Sequence, residues 1–160
     1  MEKVTYDRER AIQYAKSWAL RRNPSYADFS LMGGDCTNFI SQCLYAGGGV
    51  QNYTPTMGWY YNSLSSRAPA WSAARFLYRF LKANRSVGPV AREVGKSGLQ
   101  IGDLIQLENE SGVYHSLIVT GFDGRDPLIC THTFDAYMVP FSRYTAPAAH
   151  FMHIEYFQKY

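Results

Sequence analysis

No stretch of this 160-residue chain stays apolar for the roughly twenty residues that a membrane-crossing helix needs, which excludes a helical span. Met1-Glu2-Lys3-Val4 is not followed by the apolar segment of a secretory leader. The chain is therefore expected to be cytoplasmic, or a domain excised from an exported protein. Runs of like charge are missing too. Sixteen Lys and Arg against thirteen Asp and Glu leave a net charge of +3 spread along the chain. That balance makes no case for a nucleic-acid partner, though it would not oppose an anionic polymer. Cysteine is scarce, and three is an odd number, so at least one thiol is unpaired within the chain. Repeats and low-complexity segments are absent, and the length suits one domain over residues 1–160. Aromatics are abundant. Thirteen Tyr, nine Phe and three Trp suit a lined cleft or a Tyr-rich core.

The most informative stretch is Gly33-Gly34-Asp35-Cys36-Thr37-Asn38-Phe39-Ile40-Ser41-Gln42-Cys43-Leu44. Two glycines feed an acidic residue, a cysteine and a helical pattern in which Cys36, Ile40 and Cys43 share one stripe. Asp35 is the expected N-cap, which puts Cys36 in the first turn. Unsatisfied N–H groups and the positive end of the helix dipole favour a thiolate there. Cys43 fits a buried structural cysteine. Cys36 fits that reading poorly, because the glycines let a ligand approach the backbone at a helix start.

Around this stretch the spacing predicts a helix from an Asp7 cap to about Asn23, ended by Pro24. Gly47-Gly48-Gly49 should close the cysteine helix. Residues 50–70 show no period, and a segment of that length is usually functional or disordered. Its Trp59, Tyr60 and Tyr61 argue against disorder and are candidate cleft walls that bind substrate. A third helix should start from a Ser72 cap and bury Phe76, Leu77, Phe80 and Leu81. Strands follow at 90–94, 104–107, 113–122, 128–134, 137–141 and 151–157, with a hairpin turn at Asp123-Gly124. Helices first and an antiparallel sheet second make an α+β fold.

A cysteine nucleophile needs a base, and His115 leads the strongest strand. If Asp123-Gly124 is a two-residue turn, His115 lies opposite His132 on one face of the sheet. His132 is then the candidate orienter of His115, and Asp135, just past the strand, is the alternative third residue. His150 and His153 read as structural or surface residues. Cys130 with His132 could suggest zinc, but the paired ligands of a zinc motif are missing, so no metal is implied.

The order of Gly-Asp-Cys at a helix start, Leu99-Gln100-Ile101-Gly102-Asp103-Leu104 before a strand, and a strand-leading His115 resembles the NlpC-type and CHAP branch of papain-like cysteine peptidases and amidases. Nearer still, Asp7-Arg8 with Ala11, Gly34 to Gln42, Gly47-Gly48, Trp59-Tyr60, His115-Ser116 and His132-Thr133 with Asp135 resemble the bacterial "Putative amidase domain" family, roughly from Tyr6 to Tyr144. The resemblance implies a papain-like fold, a catalytic set of a cysteine, a histidine and a third polar residue, and action on amides of bacterial cell-wall peptides. It implies no cofactor. The expected reaction is amide hydrolysis through a thioester, with Cys36 attacking and its backbone N–H donating to the oxyanion. Tyr26 or Ser30 is the candidate second donor, and Asp35 a candidate substrate contact. Two rivals are a transglutaminase-like acyl transferase using Asp135 and a non-catalytic wall-binding module. Oligomeric state is not legible.

Overall fold

A computed structural model describes residues 1–160. Asp7 caps α1 (Arg8–Trp18) by accepting the Arg10 N–H at 3.0 Å. The helix ends earlier than Pro24 requires, because the chain bends into a turn in which the Trp18 carbonyl accepts the Arg21 N–H at 3.3 Å. Helix α2 (Cys36–Gly48) follows the glycine turn and closes on Gly49 in the left-handed region, φ 71°. The expected third helix is two pieces, α3 (Pro69–Ser72) and α4 (Ala74–Ala83), with Ala73 extended between them. Ser72 does not cap α4; its hydroxyl instead accepts from the Arg67 guanidinium.

Nine strands complete the chain: β1 (Glu2–Val4), β2 (Tyr61–Ser63), β3 (Ser66–Arg67), β4 (Gly88–Val94), β5 (Leu104–Asn109), β6 (Gly112–Asp123), β7 (Asp126–Thr131), β8 (Ala136–Pro140) and β9 (Ala148–Lys159). β2 and β3 form a small separate hairpin, so the 50–70 segment is ordered rather than structureless. The other seven form one antiparallel sheet in the order β1-β9-β5-β6-β7-β8, with β4 also paired to β9. The fold is thus α+β with an antiparallel sheet and few helices, and no helix is long and apolar enough to cross a membrane.

Alternation along the strands sorts the sheet into two faces. Leu104, Ile118, Cys130, Met152 and Ile154 pack with the helices in the main core. Ile105, Leu107, Leu117, Val119 and Ile129 form a smaller cluster on the other face, covered by Tyr144 and Phe151. Helix α2 is buried on nearly all sides, and complete burial of Phe39, Ile40 and Leu44 contributes about 1.5–3 kcal/mol each. Its polar side chains all find partners, as burial demands. Ser41 Oγ donates to the Trp71 carbonyl, Tyr14 O–H donates to Gln42 Oε1, and Trp71 Nε1–H donates to Asn38 Oδ1.

The Asp7-Arg8 and Gly102-Asp103 motifs meet. Buried Asp103 accepts from Arg8 Nη1 (2.8 Å), the Ile154 N–H (3.0 Å) and the Gln100 N–H (2.8 Å), and contacts His153 Nδ1 at 2.8 Å. These residues pin α1 and the loop before β5 to β9. His150 bonds Glu93 (2.7 Å) and Glu108 (2.8 Å) between neighbouring strands, so both C-terminal histidines serve the sheet.

Candidate active site

Cys36 opens α2 where the helix meets β6, an interior strand of the sheet. Gly34 makes the approach possible. Its φ is +110°, and a Cβ there would lie 2.9 Å from Thr133 Oγ1. The same Thr133 hydroxyl accepts the Asp35 N–H at 3.0 Å, tying the loop before α2 to the turn after β7. Cys36 retains 7 % exposure, against none for Cys43 and Cys130, and borders a depression of about 320 Å³ lined also by Gly33, Gly34, Thr37, Arg75 and Tyr114.

A chain of hydrogen bonds reaches the thiol. Gln106 Nε2, a donor only, gives its hydrogens to the Ala74 carbonyl (3.1 Å) and Ser116 Oγ (3.2 Å). Ser116 Oγ lies 3.0 Å from Thr37 Oγ1, which lies 3.7 Å from Cys36 Sγ. If Ser116 passes its hydrogen to Thr37, the Thr37 hydrogen is left to point at the sulfur. Burial nevertheless prevails and raises the Cys36 pKa above the usual thiol value, with the Asp35 charge adding to it. The resting group is therefore a thiol near neutrality.

His115 precedes Ser116, and successive strand residues face opposite ways, so Ser116 points to Thr37 while the His115 ring lies on the other face of the sheet from Cys36. No side-chain hydrogen bond joins the two. The His115 ring pairs in register with Leu107 and packs against Tyr114 and Tyr144, at 6.4 and 6.2 Å between ring centres. Burial lowers its pKa to about 4, so the imidazole is neutral at pH 7 and can accept a proton.

His132 does not orient His115. Its Nδ1 lies 2.5 Å from Asp35 Oδ2 and its Nε2 lies 2.8 Å from the Trp18 carbonyl, while its ring stacks on Phe39 at 4.0 Å. A carbonyl only accepts, so Nε2 carries hydrogen, and both ring nitrogens are occupied. The cause is one residue. The turn is Gly124-Arg125, with Asp123 opposite Asp126, and that register alone would keep His132 on the His115 face. An irregularity at Thr120 then changes the pairing to Ile118 opposite Cys130. One extra residue exchanges the faces of everything beyond it, so His132 follows Cys130 and turns toward α1 and α2.

The remaining candidates are placed elsewhere. Asp35 precedes α2, but its side chain makes no cap. Oδ1 accepts from the Phe29 N–H (2.8 Å) and Asn38 Nδ2 (2.9 Å), and Arg22 Nε lies 3.5 Å from Oδ2. With 1 % exposure Asp35 is no substrate contact. Asp135 is held by both terminal nitrogens of Arg22 (2.8 and 3.0 Å) rather than by a histidine. Ser30 donates to Asp28 in the same Arg22 cluster, and Tyr26 stacks on Tyr61 and Trp71. Neither borders the Cys36 depression. Trp59 is fully buried, donating to Ser41 Oγ and packing on Trp71 at 4.8 Å. Tyr60 packs on Tyr53, and the Tyr61 hydroxyl accepts the Ala27 N–H. The cleft wall is instead the α3–α4 junction, Ser72 to Phe76, with Tyr114.

Thr37, Ser116 and Gln106 were not among the expected site residues. A signal existed for two of them. Gln106 and Ser116 alternate with Leu104 and Ile118, so they are polar residues on a core-facing parity.

The family model for "Putative amidase domain" matches residues 5–154. The chain belongs to that family. It is 36 % identical over 138 residues to "Uncharacterized protein YhbB" of Bacillus subtilis, covering 83 % of this chain and 43 % of that protein. The chain thus spans less than half the length of this relative. No solved structure matches it. The family's description suggests amide hydrolysis at a coarse level and names no residue for it.

Proposed function

We propose that this domain hydrolyses amide bonds through a Cys36 thioester, on a papain-like framework related to the NlpC and CHAP enzymes. The observation that carries the reading is the position of Cys36. It alone of three thiols reaches solvent, at a helix start, with the Thr37 hydroxyl 3.7 Å from its sulfur and the Ser116 hydroxyl 3.0 Å from that of Thr37.

In this mechanism the His115 ring, which rests on the Tyr144 face of the sheet, has to come round the start of β6 to the Cys36 face before it takes the Sγ proton. The sulfur attacks the carbonyl carbon. The N–H of Cys36, unsatisfied within the helix, donates to the resulting oxyanion. Collapse breaks the C–N bond, and His115 returns the proton to the leaving amine. Water then attacks the thioester, His115 takes its proton, and the acid departs as the thiol is restored. Thr37 and Ser116 steady the sulfur while it is charged. Asp35 and His132 hold the loop from which Cys36 projects and do not touch the reacting atoms. The proposed reacting residues are therefore Cys36 and His115, with His132 in a positioning role and no part for Asp135. Cell-wall peptides are the proposed substrate class, supported by the resemblance of the Gly34–Gln42 block and His115-Ser116 to wall-active relatives.

Muropeptides from a Gram-positive wall, incubated with the domain and analysed by mass spectrometry, test this. The expected result is amide cleavage by the parent, none by Cys36→Ala, and an acyl-enzyme adduct on Cys36 after acid quenching. Undiminished cleavage by Cys36→Ala would end the proposal.

A further inference from the structure

The depression at Cys36 does not end at the thiol. Phe76 lines it and also lines a larger depression of about 470 Å³ whose floor includes Met57, Phe80 and Ala83. Phe76 is 43 % exposed and Met57 77 %, large apolar groups that the core does not explain. The charged residues around the two depressions are all arginines: Arg75 beside the thiol, and Arg79 and Arg85 around the larger one. None of the three pairs with a carboxylate. Arg75 donates to the Ser111 carbonyl and Arg85 to the Asn84 carbonyl, while Arg79 lies over the Phe76 ring at 5.5 Å. Each guanidinium keeps further N–H donors free, in a geometry suited to carboxylate. Such unpaired positive charge over an apolar floor, in a chain whose net charge is only +3, is complementary to an anionic group with an apolar stem.

We infer that the two depressions form one substrate cleft, and that its far half binds a carboxylate of the substrate against Arg79 and Arg85 with an apolar side group on Phe76 and Met57. This rests on Cys36 being the reactive residue. It specifies the substrate class: an amide that carries a free carboxylate at a distance from the bond that is cut.

Iodoacetyl peptides test it, with Glu placed one, two or three residues from the reactive carbon after leucine spacers, and matched Gln peptides amidated at the C terminus. Alkylation of Cys36 is followed by intact mass to separate the saturation constant from the limiting rate. At one spacing or more the acidic probe should saturate at a concentration about five- to tenfold lower than its neutral partner. Arg79→Gln with Arg85→Gln should abolish that difference without changing the limiting rate. Both side chains are exposed, so the variant should fold. Equal saturation of acidic and neutral probes at every spacing would overturn the inference while leaving the thiol chemistry intact. If no probe alkylates Cys36, calorimetry with the unreactive acetyl-Leu-Glu series decides the point. Binding lost in the double arginine variant upholds the anionic subsite although the thiol reading fails, and absence of binding ends both.

Discussion

Asp35 Oδ2 and His132 Nδ1 lie 2.5 Å apart, each residue 1 % exposed, directly before the cysteine that opens α2. The pair joins the loop before α2 to the turn after β7 and, through the Trp18 carbonyl, to the end of α1. Removing one partner leaves the other as a buried unsatisfied polar group, which costs about 1–3 kcal/mol. Asp35→Asn and His132→Ala are therefore expected to lower unfolding free energy by that order, measured by urea denaturation. A loss below about 1 kcal/mol for either, with turnover strongly reduced, would return His132 to the role of orienting the base.

Iodoacetamide at neutral pH should label Cys36 in the folded domain and leave Cys43 and Cys130 untouched, as peptide mapping would show. Because burial raises the Cys36 pKa, the labelling rate should still be climbing at pH 9 rather than levelling near neutrality. A plateau below pH 7 would mean that an ion pair forms the thiolate at rest.

Thr37→Val keeps the shape of the side chain and removes the hydroxyl between Ser116 and the sulfur. A hydrogen bond to a charged group contributes about 1.5–3 kcal/mol, so alkylation and turnover should fall roughly tenfold or more. Labelling rates for parent and variant at one pH decide this. Unchanged rates would show that the hydroxyl only packs.

The His115 pKa is depressed from 6.5 to about 4 by burial. Below pH 6.5 the unfolded chain takes up a proton that the folded one refuses, so this contribution to stability is complete above pH 6.5 and is lost as pH falls toward 4. The loss amounts to at most about 3 kcal/mol. Denaturation between pH 7 and 4 should therefore show a steeper decline for the parent than for His115→Phe. Parallel curves would mean that the ring is solvated.

Asp135→Asn should leave amide hydrolysis within about threefold of the parent, since its carboxylate is spent on Arg22 at the surface. Loss of activity there, with transfer to added amines in the parent, would favour the transglutaminase-like geometry.

Local signals determined much of this protein. The Gly-Asp-Cys start of α2, the Asp7 cap of α1, the hairpin of β6 and β7 and the antiparallel sheet all follow from turn chemistry and periodicity over a few residues. Interactions at that range are present in the chain before it folds. The tertiary structure decided which face each site residue occupies. The residue inserted at Thr120 leaves no mark in the apolar pattern, yet it carries His132 from the face of His115 to that of Asp35. Trp59 and Tyr61 likewise looked like cleft walls because composition reports an aromatic without reporting what stacks on it; Trp71 takes both. The wall beside Cys36 is made by the break between α3 and α4, which exists because Trp71 must fill the core while Arg75 and Phe76 stay outside. That compromise is made between elements far apart in sequence, and packing alone resolves it.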